Sequence, residues 1–184
     1  YTVVVTDGNS CTNTATGTLT VNTIPAVSVN DATICSDASA ATFTATSGTA
    51  TGYVWSVNGS GTASTTSGTT AGAYTVVVTD GNSCTNTATG TLTVNLAPSI
   101  TVTGVDPTSC GGSDGKIVIS GLENGTVYTS TYYTDLTPVE QGPTSETTSG
   151  TGTYEISGLS AGGYVDIYVD SLGCESNHLS VTLS

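Results

Sequence analysis

Apolar and polar positions alternate with a period of two along much of the chain. From Thr12 to Val21 every even position is Thr, whereas the odd positions run from Asn13 through Ala15 and Gly17 to Leu19 and Val21. Side chains with this period fall on opposite faces of a strand, so one face is hydroxyl and the other largely apolar. The pattern recurs from Thr85 to Val94, and just before it Tyr74, Val76 and Val78 alternate with Thr75, Val77 and Thr79. Asp80-Gly81-Asn82-Ser83 between the two runs is a turn-forming cluster and predicts a hairpin. Further strands are expected at Thr42 to Thr46 and Tyr53 to Val57, then at Lys116 to Ser120, Val127 to Tyr133, Thr153 to Ser157, Tyr164 to Asp170 and Leu179 to Leu183. No window carries helical periodicity, and strands at this spacing predict an all-β chain of two-sheet antiparallel sandwiches in series.

The repeat structure sets the expected boundaries. Residues 1–22, YTVVVTDGNSCTNTATGTLTVN, recur letter for letter as residues 74–95. Each copy runs into a short apolar joint with a proline, Thr23-Ile24-Pro25 or Leu96-Ala97-Pro98, and then into a fresh strand. The expected organisation is a closing hairpin over 1–24, a complete sandwich over 25–97 and another over 98–184. Joints this short should behave as stiff connections, giving a rod. The hairpin reads as the end of a sandwich whose earlier strands lie before the chain or are donated by a neighbouring subunit.

Charge narrows the function. Fourteen acidic residues against one Lys and no Arg give a net charge of −13, which opposes any phosphate backbone, so nucleic acid is excluded as a partner. No apolar run reaches the length of a membrane-spanning helix, and none is expected to insert.

Five cysteines are resolved by the expected boundaries. Cys35 and Cys84 fall in one sandwich and Cys110 and Cys174 in the next, which predicts bridges Cys35–Cys84 and Cys110–Cys174. Cys11, the repeat equivalent of Cys84, is left unpaired by truncation. Bridges imply an extracellular setting, and no CxxC or Cys/His spacing supports zinc. Trp55 between Cys35 and Cys84 resembles the Cys…Trp…Cys order of immunoglobulin domains. Because Cys35 precedes the strand at Thr42, its bridge is expected near the loops and not through the sandwich centre.

Several segments resemble a known class. Ile34-Cys35-Ser36, Tyr53-Val54-Trp55-Ser56 and the run from Ala71 to Cys84 look like the PKD-like or immunoglobulin-like repeats of large Bacteroidota surface proteins. Thr108-Ser109-Cys110-Gly111-Gly112-Ser113-Asp114-Gly115-Lys116-Ile117, with Gly158 to Tyr164 and Leu172-Gly173-Cys174, is similar to the SprB-type repeat of gliding-motility adhesins. Tyr132-Tyr133 stands where that pattern has a tryptophan. The resemblance implies a secreted, filamentous or stalk-like surface protein exported by type IX secretion and serving adhesion or gliding. Its partners would be neighbouring repeats or subunits of the same filament, and surface glycans.

Chemistry-bearing residues are few. His178 is the only histidine and Lys116 the only lysine. A Ser/His/Asp site would have to be built on His178, and an isopeptide bond on Lys116; both read better as exposed strand residues, and no enzymatic activity is expected. No cofactor is expected either, although Asp31, Asp37, Asp80, Asn82, Asp106 and Asp114 offer oxygen ligands suited to a structural calcium. Beside glycine, such residues are also ordinary turn formers. Asp170-Ser171-Leu172 looks like the Bacteroidota O-glycosylation sequon, which marks Ser171. Asn58-Gly59-Ser60 and Asn124-Gly125-Thr126 fit N-glycan acceptors but read first as turns. The threonine faces read as solvent-facing strand surface, as O-glycan acceptors or as an ice-binding array. Tyr128, Tyr132 and Tyr133 could stack on a sugar or pack across strands. The alternative to a structural segment is a carbohydrate- or calcium-binding module of a secreted hydrolase.

Overall fold

The computed structural model describes residues 1–134, 137–148 and 152–184, and every regular element among them is a β-strand. In chain order these are β1 (Thr2–Thr6), β2 (Thr12–Thr16), β3 (Ser28–Val29), β4 (Ala32–Cys35), β5 (Ala41–Thr46), β6 (Ala50–Val57), β7 (Thr65–Gly68), β8 (Gly72–Asp80) and β9 (Thr85–Asn95). There follow β10 (Thr101–Val105), β11 (Gly115–Ser120), β12 (Val127–Thr134), β13 (Thr137–Thr147), β14 (Thr153–Leu159), β15 (Gly162–Ser171), β16 (Cys174–Glu175) and β17 (Leu179–Leu183). No described helix is long and apolar enough to cross a membrane. The chain divides into two compact units. One comprises Tyr1–Ala32, Thr42–Gly68 and Gly72–Thr91, the other Thr33–Ala41, Thr69–Ala71 and Leu92–Ser184.

Strands β3-β5-β7 form one sheet and β4-β9-β8-β6 a second. The alternation read from the sequence is realised on β8, where Tyr74, Val76 and Val78 are wholly buried while Thr75, Val77 and Thr79 are half-exposed. Phe43 of β5 stacks on Tyr74 at 4.1 Å between ring centroids, and the buried Trp55 donates its indole N–H to the Ala63 carbonyl at 2.9 Å. Aromatic stacking adds about 0.5–1.5 kcal/mol to what such burial already contributes. The threonines of β9 face solvent along the whole strand.

The other sandwich repeats this plan. Strands β10-β11-β14 form one sheet; β13-β12-β15-β16, with β17 also on β15, form the other. Ile117, Ile119, Ile167 and Val169 are wholly buried between them, joined by Tyr128, Leu159, Tyr164 and Leu183. Strand β13 was not anticipated. Its run, Thr137-Pro138-Val139-Glu140-Gln141-Gly142-Pro143, has two prolines and no alternation, and prolines are tolerated in a strand at a sheet edge, where β13 lies.

The two identical 22-residue segments fold alike at their turns and differently beyond them. Asp7 Oδ1 accepts from the backbone N–H groups of Asn9 and Cys11, each at 2.9 Å, and Asp80 Oδ1 accepts from Asn82 and Cys84 at 2.9 and 2.8 Å. Ser10 and Ser83 share the same left-handed backbone, φ 64 and 65. The turn is therefore encoded locally. Strand length is not: β2 stops at Thr16, whereas the equivalent β9 runs on to Asn95. Gly90 of β9 lies so close to the Asn30 carbonyl that a Cβ would clash with it, while Gly17 has open space around it. Residues Leu19 and Val21 are exposed, and no strand among the described residues pairs with the extension they would form.

Candidate functional site

A disulfide bridge joins Cys35 to Cys174, 139 residues apart. It corrects both expected pairings, because Cys11, Cys84 and Cys110 carry free thiols. The reason lies in how β4 meets β9. Thr91 donates its N–H to Asp31 Oδ1 at 2.7 Å, and Ser36 donates to the Asn95 carbonyl at 2.8 Å, so numbering rises together and the strands run parallel. Cys35 thus lies by the end of β9, whereas Cys84 immediately precedes its start. Eleven extended residues, about 35 Å at ~3.3 Å each, separate those ends, and bridged cysteines need Cα atoms within about 7 Å.

Around the bridge the backbone is closely hydrogen-bonded. Asn95 Nδ2 donates to the Leu172 carbonyl at 3.1 Å, and Ala97 N–H donates to Ser36 Oγ at 3.0 Å. Asn177 closes the ring, accepting from Ile100 N–H at 2.7 Å and donating back to its carbonyl at 3.0 Å. The joint Leu96-Ala97-Pro98 is held on both sides, and beside it lies a cleft of about 340 Å³ walled by Pro98, Tyr128 and Leu172. The bridge cysteine Cys174 follows a two-residue Leu172-Gly173 turn with positive φ at both positions, 54 and 78, the geometry favoured for tight hairpins. Ser171 is half-buried at the start of this turn, and the neighbouring Asp170 Oδ1 accepts from Gly173 N–H at 3.2 Å.

The other candidate residues are engaged separately and are not gathered into one site. His178 stacks on Tyr168 at 4.4 Å, with Nδ1 2.6 Å from Asp166 and Nε2 3.5 Å from Glu175. Both ring nitrogens face carboxylates at the half-exposed surface. Lys116 Nζ pairs with Glu155 at 3.1 Å on half-exposed strands. Asp106 Oδ1 accepts from Ser184 N–H at 2.7 Å, and Asp114 accepts both the N–H and the hydroxyl of Thr108, at 3.0 and 2.6 Å. These bonds, the hydroxyl's first, hold the Asp114 carboxyl below its usual range. No group of three or more His, Cys, Asp or Glu that could hold a metal occurs among the described residues. Tyr128 is buried and accepts from Glu123 N–H at 3.1 Å, while Tyr132 lies against the core with its ring 5.9 Å from Tyr164. Two of the three tyrosines considered for sugar stacking are thus spent on packing.

Solved structures resemble this chain at the level of fold. The N-terminal eight immunoglobulin domains of Down Syndrome Cell Adhesion Molecule align over 100% of this chain and 34% of their own length, at 10% identity and a TM-score of 0.58. The fold is immunoglobulin-like. The titin I-band fragment I67-I69 aligns over 89% of this chain and 66% of its own, at 16% identity and a TM-score of 0.53. The chain spans less than two thirds of the length of either. No protein-family model matches it, and no curated protein matches it in sequence.

Immunoglobulin-like features can now be placed on particular residues. Tyr164, the third residue of β15, donates its hydroxyl to the Ser160 carbonyl at 2.8 Å, a bond of the kind made by the tyrosine corner of such domains. Trp55 is buried on β6, but the Cys…Trp…Cys order read from the sequence is not realised as a bridge, because Cys35 bonds Cys174 and Cys84 is free. Where antibody domains join the two sheets with a disulfide, Phe43 of β5 stacks on Tyr74 of β8. At this position the two sheets are joined by an aromatic stack and not by a disulfide.

Proposed function

We propose that this chain is a structural, non-enzymatic segment of an extracellular filamentous adhesin or stalk, built of tandem repeats bounded near residues 24 and 97. The observation that carries this reading is the repeat itself: a 22-residue segment present twice without change, forming in its second copy the closing hairpin of an immunoglobulin-like sandwich. The engagement of His178 by two carboxylates supports a non-catalytic role. The disulfide supports an oxidising, extracellular setting. Tandem immunoglobulin-like domains also make up the cell-adhesion molecule and the titin fragment that the chain resembles. The motif resemblance to PKD-like and SprB-type repeats narrows the proposal to a Bacteroidota surface protein exported by type IX secretion and used in attachment or gliding. Its partners are neighbouring repeats or subunits, with an O-glycan at Ser171.

Antibodies raised to the chain should label intact, unpermeabilised cells and inhibit their attachment or surface movement. Label confined to permeabilised cells would overturn the proposal. Peptide mass mapping across Asp170 to Cys174 reads the glycan directly.

A further inference from the structure

Spacing divides the five cysteines into two classes. Cys11, Cys84 and Cys174 each lie ten residues after a tyrosine (Tyr1, Tyr74, Tyr164) and four after an aspartate (Asp7, Asp80, Asp170), at the turn of a hairpin. Cys35, the last residue of β4, and Cys110, in the loop after β10, instead each precede the middle strand of a three-stranded sheet and are called link cysteines below. Cys35 falls between β3 and β5 of sheet β3-β5-β7, and Cys110 between β10 and β11 of sheet β10-β11-β14. Each stands at a turn before that middle strand: Ala38 N–H donates to the Cys35 carbonyl at 3.0 Å, and Gly112 N–H donates to the Ser109 carbonyl at 2.8 Å, with Cys110 at the tip.

The one bridge formed joins the two classes and follows an ordering rule. Cys174, a hairpin cysteine, passes over Cys110, the link cysteine nearest upstream in sequence, and bonds the one before it, Cys35. We infer that this is the rule of a disulfide ladder in which every hairpin cysteine bonds the second link cysteine upstream. The partner of Cys110 is then a hairpin cysteine of another repeat, ten residues past a tyrosine. The partners of Cys84 and Cys11 are link cysteines of other repeats. All three free thiols are thereby assigned, and Cys110, exposed at its turn tip, is presented to an incoming hairpin.

Closing each rung removes two thiol protons and two electrons. A small disulfide such as glutathione disulfide accepts both and leaves as two thiols after thiolate attack through a mixed disulfide. The ladder rests on reading the chain as part of a repeat array, whereas its test follows linkage and is independent of where the protein resides. The other repeat is either a second copy of this chain or a flanking repeat of the same polypeptide.

Two samples separate these sources: the purified chain, concentrated in a glutathione/glutathione disulfide buffer, and the protein released from its native surface in alkylating agent. Both are digested with chymotrypsin and Asp-N without reduction and mapped by mass spectrometry. In the purified chain we expect linked copies joined Cys110 to Cys84 or Cys11, absent in Cys110→Ser, with Cys35–Cys174 retained and Trp55 fluorescence unchanged. In native material we expect Cys110 joined to a cysteine ten residues past a tyrosine. Linkage to Cys84 or Cys11 assigns a second copy, and linkage in the second sample to a peptide absent from this sequence assigns a flanking repeat. Free Cys110 in both samples overturns the ladder. So do like-class links such as Cys110–Cys110 or Cys11–Cys84 at comparable yield, and linked copies that persist in Cys110→Ser.

Discussion

Val5 and Val78 occupy the same position of an identical 22-residue sequence, so the same substitution at each isolates what tertiary burial contributes. Val78 is wholly buried on β8, paired across the sheet with Tyr53; Val5 on β1 is 62% exposed. Val→Ala removes two methyl carbons, each worth about 0.8 kcal/mol when buried. A residual void of about 50 Å³ adds ~1 kcal/mol at ~24 cal/mol per Å³, so Val78→Ala should cost about 2–3 kcal/mol. Val5→Ala should stay within about 0.5 kcal/mol, as exposed substitutions do. Trp55, the only tryptophan, lies on the strand beside β8 with Val76 as its register partner, so urea unfolding followed by its fluorescence reports this sandwich. With a slope of about 1 kcal/mol per M for a domain this small, the midpoint should fall by ~2 M for Val78→Ala and hold for Val5→Ala. Equal shifts in the two variants, or a shift below about 0.5 M for Val78→Ala, would refute the burial difference.

Three further outcomes are expected. Gly90→Ala should destabilise by several kcal/mol because its Cβ would meet the Asn30 carbonyl, whereas Gly17→Ala, with open space around it, should not move the Trp55 transition; equal melting temperatures would count against the close approach. Replacing both Cys35 and Cys174 by Ser should cost up to about 5 kcal/mol for a 139-residue span, read as lost hydrogen-exchange protection at Ile117 and Ile167, and unchanged protection would show that the bridge constrains nothing. Burial holds the Tyr132 and Tyr164 phenols above their usual value, Tyr132 with added repulsion from Tyr164 and Tyr154. The native state therefore keeps protons that the unfolded chain releases, and stability should fall as pH rises beyond about 10. Absorbance titration at 295 nm should show late-ionising phenols, one fewer in Tyr132→Phe, and a single ordinary titration would contradict this.

Strands that bury one face were legible in the sequence because a period of two is written into them, as on β8 and β11. Two edge strands were not. In β13, prolines replace the alternation, and β4 is four residues whose partner is fixed only by a parallel approach to β9. Turn chemistry was legible wherever a single aspartate sets it, at Asp7 and Asp80, and those turns form with or without a covering sheet. The cysteine pairing was hidden for a different reason. Spacing from the tyrosine sorts Cys84 and Cys174 into one class and so narrows the partners of Cys35 to a hairpin cysteine, but choosing between them requires knowing which end of β9 the strand β4 reaches. That depends on whether β4 runs parallel or antiparallel to β9, a long-range property absent from any local window. Aromatic roles were similarly ambiguous, since Tyr132 offers the same ring to a sugar or to Tyr164, and only the packing of β12 on β15 decides.

The Cys35–Cys174 bond also governs what happens when the chain is pulled from its two ends. Tension entering at Tyr1 reaches Cys35 after thirty-four residues, crosses the sulfur–sulfur bond and leaves through the ten residues beyond Cys174. Everything between is a closed loop off the load path, including the Phe43–Tyr74–Trp55 centre and the Ile117–Ile167 core. Stretching can therefore peel the outer segments but gains no contour length from that loop until a reductant cuts the bond, which would release on the order of 460 Å of chain at ~3.3 Å per residue. A single covalent contact makes extensibility a matter of redox chemistry, whatever the strength of the sandwiches it encloses.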